Sequence, residues 1–351
     1  LRMDNYTSAP EDDYDVLIED DLNSGELELC DHYDTKILEA RVVPQLSTTV
    51  FLVGLLGSLL VMLILVKHKG LKHTENIYLL NLAISNLCFL LALPFWAYTA
   101  THGGVLDTPF CKILVVLYSI GLYSEAFFNV LLTVQRYLVF FSVSVPLITR
   151  TTRWGIISSG LAWVLATLVI VPESVFDKAR MESQTYRCFF SRPHFLLVEE
   201  RNWKHFLTLK MNILGLLFPL CVFVFCYVRM SRIRRSGERR SGLSKLVFAI
   251  MAVFLLMWGP YNIALFLSTF KEYFSLHDCK NNYHLDRSVQ ILRIVAATHC
   301  CVNPLLHVFL DPTFRRPLRR LCCGCDDSPP QSSEESTRDA SREGLDLSTK
   351  V

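Results

Sequence analysis

Residues 52–66 read LVGLLGSLLVMLILV, a run of apolar side chains interrupted only by two glycines and Ser58. A helix built from it is apolar on every face, whereas a helix of a soluble bundle keeps a polar stripe for water. Residues 246–256 (LVFAIMAVFLL) have the same character. Seven mostly apolar stretches follow one another along the chain, at 43–66, 77–98, 110–141, 155–175, 206–230, 246–270 and 288–310. A helical crossing takes about 20 such residues, because lipid offers the backbone no hydrogen-bond partners. The sequence predicts an all-α membrane protein, a bundle of seven transmembrane helices.

The polar residues orient that bundle. The chain has 351 residues, 51% of them hydrophobic, and its net charge of +2 hides a steep gradient. Ahead of the first span, acids from Asp4 to Glu39 outnumber Arg2, Lys36 and Arg41 by a wide margin. Basic residues gather in alternate loops: Lys67, Lys69 and Lys72, then Arg150 and Arg153, then Arg232 to Arg240, and finally Arg315 to Arg320. Positive loops stay cytoplasmic, which sets the N-terminus outside and the C-terminus inside a multi-pass plasma-membrane protein. Four regions follow: an acidic, disordered extracellular arm (1–41), the bundle (42–310), an amphipathic cytoplasmic helix with cysteines (311–325) and a disordered tail (326–351). The first forty residues hold no apolar core, so no cleavable leader is expected and the first span serves as its own insertion signal. The native start is expected at Met3 or upstream of Leu1.

Modification sites fall on the sides this topology allows. Asn5-Tyr6-Thr7 is an N-glycosylation acceptor in the outer arm. Tyr14 lies in Glu-Asp-Asp-Tyr-Asp, an acidic setting suited to tyrosine sulfation. Four cysteines are outside: Cys30, Cys111, Cys188 and Cys279. Four cysteines in an oxidising compartment allow three connectivities, of which Cys111–Cys188 with Cys30–Cys279 is favoured. Cys88, Cys221, Cys226, Cys300 and Cys301 lie within spans and are expected to pack. His299-Cys300-Cys301 is not expected to hold a metal, since adjacent helical residues face different ways. Cys322, Cys323 and Cys325 follow a segment with Phe314, Leu318 and Leu321 on one face and read as palmitoylation sites. Serines and threonines of the tail lie beside Glu334, Glu335 and Asp339, a setting for phosphorylation and arrestin contact.

Inside the spans the motifs become specific. Asn81-Leu82-Ala83, Gln135-Arg136-Tyr137, Trp163, Pro219, Trp258-Gly259-Pro260 and Asn303-Pro304 together resemble rhodopsin-like G-protein-coupled receptors. Leu93-Pro94-Phe95-Trp96, Thr298-His299-Cys300-Cys301-Val302-Asn303-Pro304 and the Cys30 and Cys279 pair narrow the resemblance to the chemokine receptor family. Ala9-Pro10-Glu11-Asp12, Gln135-Arg136-Tyr137-Leu138-Val139-Phe140 and Leu267-Ser268-Thr269-Phe270-Lys271-Glu272 are similar to its atypical, non-signalling members. The resemblance implies a secreted chemoattractant protein as ligand, chemerin first and chemokines besides. Membrane lipid surrounds such a receptor, and arrestin and hetero-oligomers with other receptors are its further candidate partners.

Departures from the family pattern carry the mechanism. Signalling relatives have an acid before the span-three arginine; Gln135 can hydrogen-bond Arg136 but cannot act as a charge switch. His307 takes the place of the tyrosine in Asn-Pro-x-x-Tyr, Ser58 that of an asparagine and Asn86 that of an aspartate. Together with Trp258 these positions form the switch network, and their alteration implies lost G-protein coupling. Glu125 lies mid-membrane where relatives carry a small residue, as if the buried carboxylate had moved from span two to span three. It is expected either to take a proton and bond Asn86 or Asn129, or to stay ionised beside a sodium ion or a protonated His299. The candidate ion site is Glu125, Asn86 and Asn303; no other cofactor is expected.

Arg293 stands where the family usually places a glutamate, and a cation there must face the water-filled cavity. With Tyr118, Trp96 and Tyr261 it is a candidate pocket for an acidic group or a C-terminal carboxylate. Binding without G-protein signalling is the expected function, with a Gi-coupled signalling receptor as the alternative. A transporter is disfavoured, since no inverted repeat or paired broken helices are visible. An enzyme is unsupported: there is no Gly-rich phosphate loop, no His-Glu-x-x-His and no Gly-x-Ser-x-Gly. No nucleic-acid partner is expected.

Overall fold

A computed structural model describes residues 43–101, 108–141, 152–176, 180–182, 185–187, 200–233, 242–274, 279–311, 314–315 and 317–319. Among the described residues seven helices are long and apolar enough to cross a membrane: Pro44–Lys69, Thr74–Tyr98, Lys112–Phe141, Thr152–Pro172, Arg201–Arg232, Lys245–Thr269 and Arg287–Leu310. They are numbered here as spans one to seven, and each overlaps a stretch predicted above. Their outer surface is apolar: Leu56 is 70% exposed, Leu256 73% and Ile157 65%. Side chains of that kind stay exposed only where lipid, not water, is the solvent. The protein is a multi-pass membrane protein.

Small residues let the helices close on one another, as bilayer packing requires. A methyl group at Gly121 of span three would lie 2.6 Å from the backbone nitrogen of Phe89 in span two. One at Gly57 of span one would lie 2.7 Å from Cγ of Pro304 in span seven. Two large apolar clusters fill most of the interior, with a smaller one around Tyr123, Ala166 and Ile170. The first joins Phe89, Leu93, Phe254, Trp258, Tyr261 and Cys300; the second joins Ile64, Tyr78, Leu79, Phe128, Ile250 and Phe314.

Spans five and seven depart locally from α geometry. Span five widens into a π turn at Ile213–Leu217, just ahead of Pro219, whose ring removes an N–H from the ladder. Span seven breaks at Thr298, between Cys279–Ala297 and His299–Leu310. There the backbone tightens: Thr298 N–H donates to Val295 and Cys301 N–H to Thr298, three residues back in each case. Beyond Leu310 the described residues 314–315 and 317–319 are helical. Phe314 is wholly buried, packed 5.6 Å from the His307 ring, and Leu318 lies against the same cluster. This is the short amphipathic eighth helix, with its apolar face turned to the bundle.

One element departs from an all-α reading. Strands β1 (Arg180–Glu182) and β2 (Thr185–Arg187), between spans four and five, pair antiparallel with Met181 opposite Tyr186. Three-residue strands are too short to leave an alternating pattern in sequence.

Candidate functional site

The outer half of the bundle brings together Arg293, Trp96 and Tyr261 from three different spans. The Arg293 guanidinium lies over the Trp96 ring, 5.1 Å from its centroid, and 5.9 Å from that of Tyr261. Its Nε donates to the Tyr261 hydroxyl at 3.4 Å. Flat faces on two sides hold the planar cation by cation–π attraction while leaving it half-buried. Tyr118 joins from span three through ring contacts with Phe89 (5.3 Å) and Trp258 (6.4 Å). Trp258, fully buried, forms the floor, 5.7 Å from Tyr261. The four predicted pocket residues of the spans therefore belong to one connected aromatic cluster around a cation.

Below that floor lies the polar core. Glu125 of span three and His299 of span seven meet at 2.7 Å, Oε2 to Nε2, with both side chains fully buried. The two atoms are within hydrogen-bond distance without good hydrogen-bond alignment. On the other side of the ring, Nδ1 lies 2.5 Å from the Ala296 carbonyl. A carbonyl only accepts, so Nδ1 carries a proton. The 2.7 Å contact then holds one further proton, since two bare lone pairs would repel. Considered as a unit, the pair carries no net charge. Asn303 adds a second contact, its Nδ2 donating to Glu125 Oε1 at 3.4 Å. The rings of Phe89 and Trp258 flank the imidazole, each 5.5 Å away. His299 Nε2 is also 3.3 Å from Cys300 Sγ, so these neighbours do touch at the break in span seven, contrary to the regular-helix expectation.

Ser58, Asn86, Asn303 and His307 line one small cavity between spans one, two and seven. Ser58 Oγ, Asn86 Oδ1, Asn303 Oδ1 and His307 Nδ1 are buried and have no protein hydrogen-bond partner among the described residues. Three of the altered switch positions, Ser58, Asn86 and His307, dispersed in sequence, thus share the wall of one cavity with Asn303 and with apolar side chains such as Val61 and Leu82. Gln135 is also buried, next to Arg136 on span three.

At the end of the bundle away from Trp96 and Arg293, Arg136 forms an ion pair with Glu75, at the start of span two. A second pair joins Lys69 to Asp311, linking the end of span one to the residue after span seven. Neither pair was expected from sequence. The available signal was a single acid, Glu75, beside the basic run Lys67 to Lys72. Asn81 accepts from Trp163 Nε1 at 2.9 Å, fastening span two to span four.

Other sequence-predicted sites lie outside the described residues: Asn5, Tyr14, Cys30, Cys188, Cys322, Cys323 and Cys325. Cys111 and Cys279 are described only as helical backbone. Cys88, Cys226, Cys300 and Cys301 are buried or half-buried free thiols, whereas Cys221 faces out of the bundle.

Residues 57–307 match the family described as "7 transmembrane receptor (rhodopsin family)". The chain is 62% identical over 350 residues to the "Chemokine C-C motif receptor-like 2" of Sus scrofa, covering 99% of this chain and 100% of that protein. It is 58% identical over 355 residues to the human "C-C chemokine receptor-like 2", covering 99% and 100%. Identity to human "C-C chemokine receptor type 1" is 41% over 313 residues, covering 88% and 87%. The chain belongs to the rhodopsin family of seven-transmembrane receptors, in its chemokine-receptor-like group.

Proposed function

We propose that the protein is an atypical receptor that captures a secreted chemoattractant at the cell surface and presents, concentrates or internalises it without activating a G protein. The observation that carries this reading is the ion pair between Arg136 and Glu75. Arg136 is the span-three arginine, its sequence neighbour is the neutral Gln135, and it is paired with a carboxylate of span two. A charge-assisted pair that does not cross to span six gives outward movement of span six no reason to release the arginine. His307 in place of tyrosine removes the hydroxyl through which relatives bridge span seven to its neighbours.

Chemerin is the first candidate ligand, by resemblance, and chemokines are the second. Arg293 suits an anionic group at the pocket, while the acidic arm suits a cationic face of the same ligand. The N-terminus is outside in this account and the protein works at the plasma membrane.

The test is equilibrium binding of fluorescently labelled chemerin, and of a chemokine panel, to cells displaying the full chain. Saturable chemerin binding that weakens as salt rises is expected, because arm contacts are screened. Absence of saturable binding by every ligand tried would overturn capture as the function.

A further inference from the structure

Relatives of this fold are expected to balance a buried core carboxylate with a sodium ion, and the sequence raises that expectation at Glu125. Sodium is a hard cation that prefers a shell of oxygen ligands, at least one of them charged. Around Glu125 the donor set is different. Oε2 faces the His299 Nε2 at 2.7 Å and Oε1 faces the Asn303 Nδ2 at 3.4 Å. Both carboxylate oxygens therefore meet nitrogen groups. The buried oxygens lacking partners, Ser58 Oγ, Asn86 Oδ1 and Asn303 Oδ1, look instead into the cavity between spans one, two and seven. They are neutral, and Glu125 is not a wall of that cavity. Charge and free oxygen ligands have been separated.

We propose that His299 is a built-in counter-ion that takes the place of a monovalent cation at Glu125, leaving the neighbouring cavity to ordered water. Three features hold the imidazole in that role. The break at Thr298 sets the Ala296 carbonyl opposite Nδ1, which fixes one proton on that nitrogen. The Phe89 and Trp258 rings confine the ring plane. Complete burial of both partners excludes bulk water and ions from the contact. Water in that small cavity would satisfy its neutral acceptors without importing charge. The result is a link between spans three and seven that is present at every sodium concentration.

The experiment measures the thermal unfolding midpoint of the purified full-length receptor in sodium, potassium or choline chloride at matched ionic strength. Wild type is expected to give the same midpoint in all three salts; a sodium-specific rise would overturn the proposal. His299→Asn removes the internal counter-ion while keeping a polar side chain. Its midpoint should fall in choline and recover in part in sodium. Glu125→Gln/His299→Asn should lose that new sodium sensitivity, which a merely space-filling role for His299 would never have produced. A His299→Asn variant as indifferent to sodium as wild type would contradict the proposal. If His299→Asn does not survive purification, recovery of folded protein in the double variant supports the pairing, and continued loss contradicts it.

Discussion

Arg293 is a single side chain whose setting bears on what the proposed ligand site could hold. Its guanidinium is stacked on Trp96 and bonded to the Tyr261 hydroxyl, so its orientation is fixed before a ligand arrives. A charge-assisted hydrogen bond to a ligand carboxylate typically contributes ~1.5–3 kcal/mol, so Arg293→Gln is expected to weaken chemerin binding at least ~10-fold. Arg293→Lys keeps the charge but loses the planar face, and should recover only part of the affinity. Titration with labelled ligand checks both; unchanged affinity in the glutamine variant would remove Arg293 from the site. Residues of this sort were legible in the sequence, because a charge inside an apolar span stands out: Arg293, Glu125 and His299 were all visible this way. Which partner each would meet was less legible. Glu125 was open to Asn86, Asn129, His299 or an ion, and only the fold brings His299 and Asn303 to it. Glu75 was missed because an acid at a helix end resembles any solvated interfacial residue, and its partner lies 61 positions away.

At the scale of the element, two helices meet closest where a side chain is missing. Gly121 admits the Phe89 backbone, and backbone cannot yield as a flexible side chain can. Gly121→Ala is expected to cost ~1–3 kcal/mol through overpacking, seen as a lowered unfolding midpoint. Gly160 offers the control: no atom lies near an added methyl group there, so Gly160→Ala should leave the midpoint almost unchanged. Equal effects at both positions would contradict the packing account. Element existence and type were legible throughout, since apolar length is a strong signal for a span. Element irregularity was not. The π turn at Ile213–Leu217 and the break at Thr298 follow from backbone hydrogen-bond register, which leaves no period in the side chains. Pro219 and Pro304 hinted at disturbance without saying where the helix would yield.

For the whole molecule, the ion pairs at the end of the bundle that holds Arg136 describe helices tied between spans two and three and between span one and the segment after span seven. Arg136 with Glu75 and Lys69 with Asp311 supply those ties. The seven-span topology was readable from apolar length alone. Loss of coupling was suggested by Gln135, Ser58, Asn86 and His307 separately; the fold adds that three of them wall one cavity while the fourth sits beside a re-paired arginine. Reinstating one residue should therefore not restore signalling. Gln135→Asp leaves Glu75, the cavity walls and His307 as they are. The most direct measurement is guanine-nucleotide exchange on purified Gi, with full-length receptor in lipid nanodiscs and labelled chemerin bound in the same sample. The account predicts saturated binding together with exchange at the level of empty nanodiscs, for wild type and Gln135→Asp alike. Ligand-dependent exchange by the wild-type receptor would contradict it.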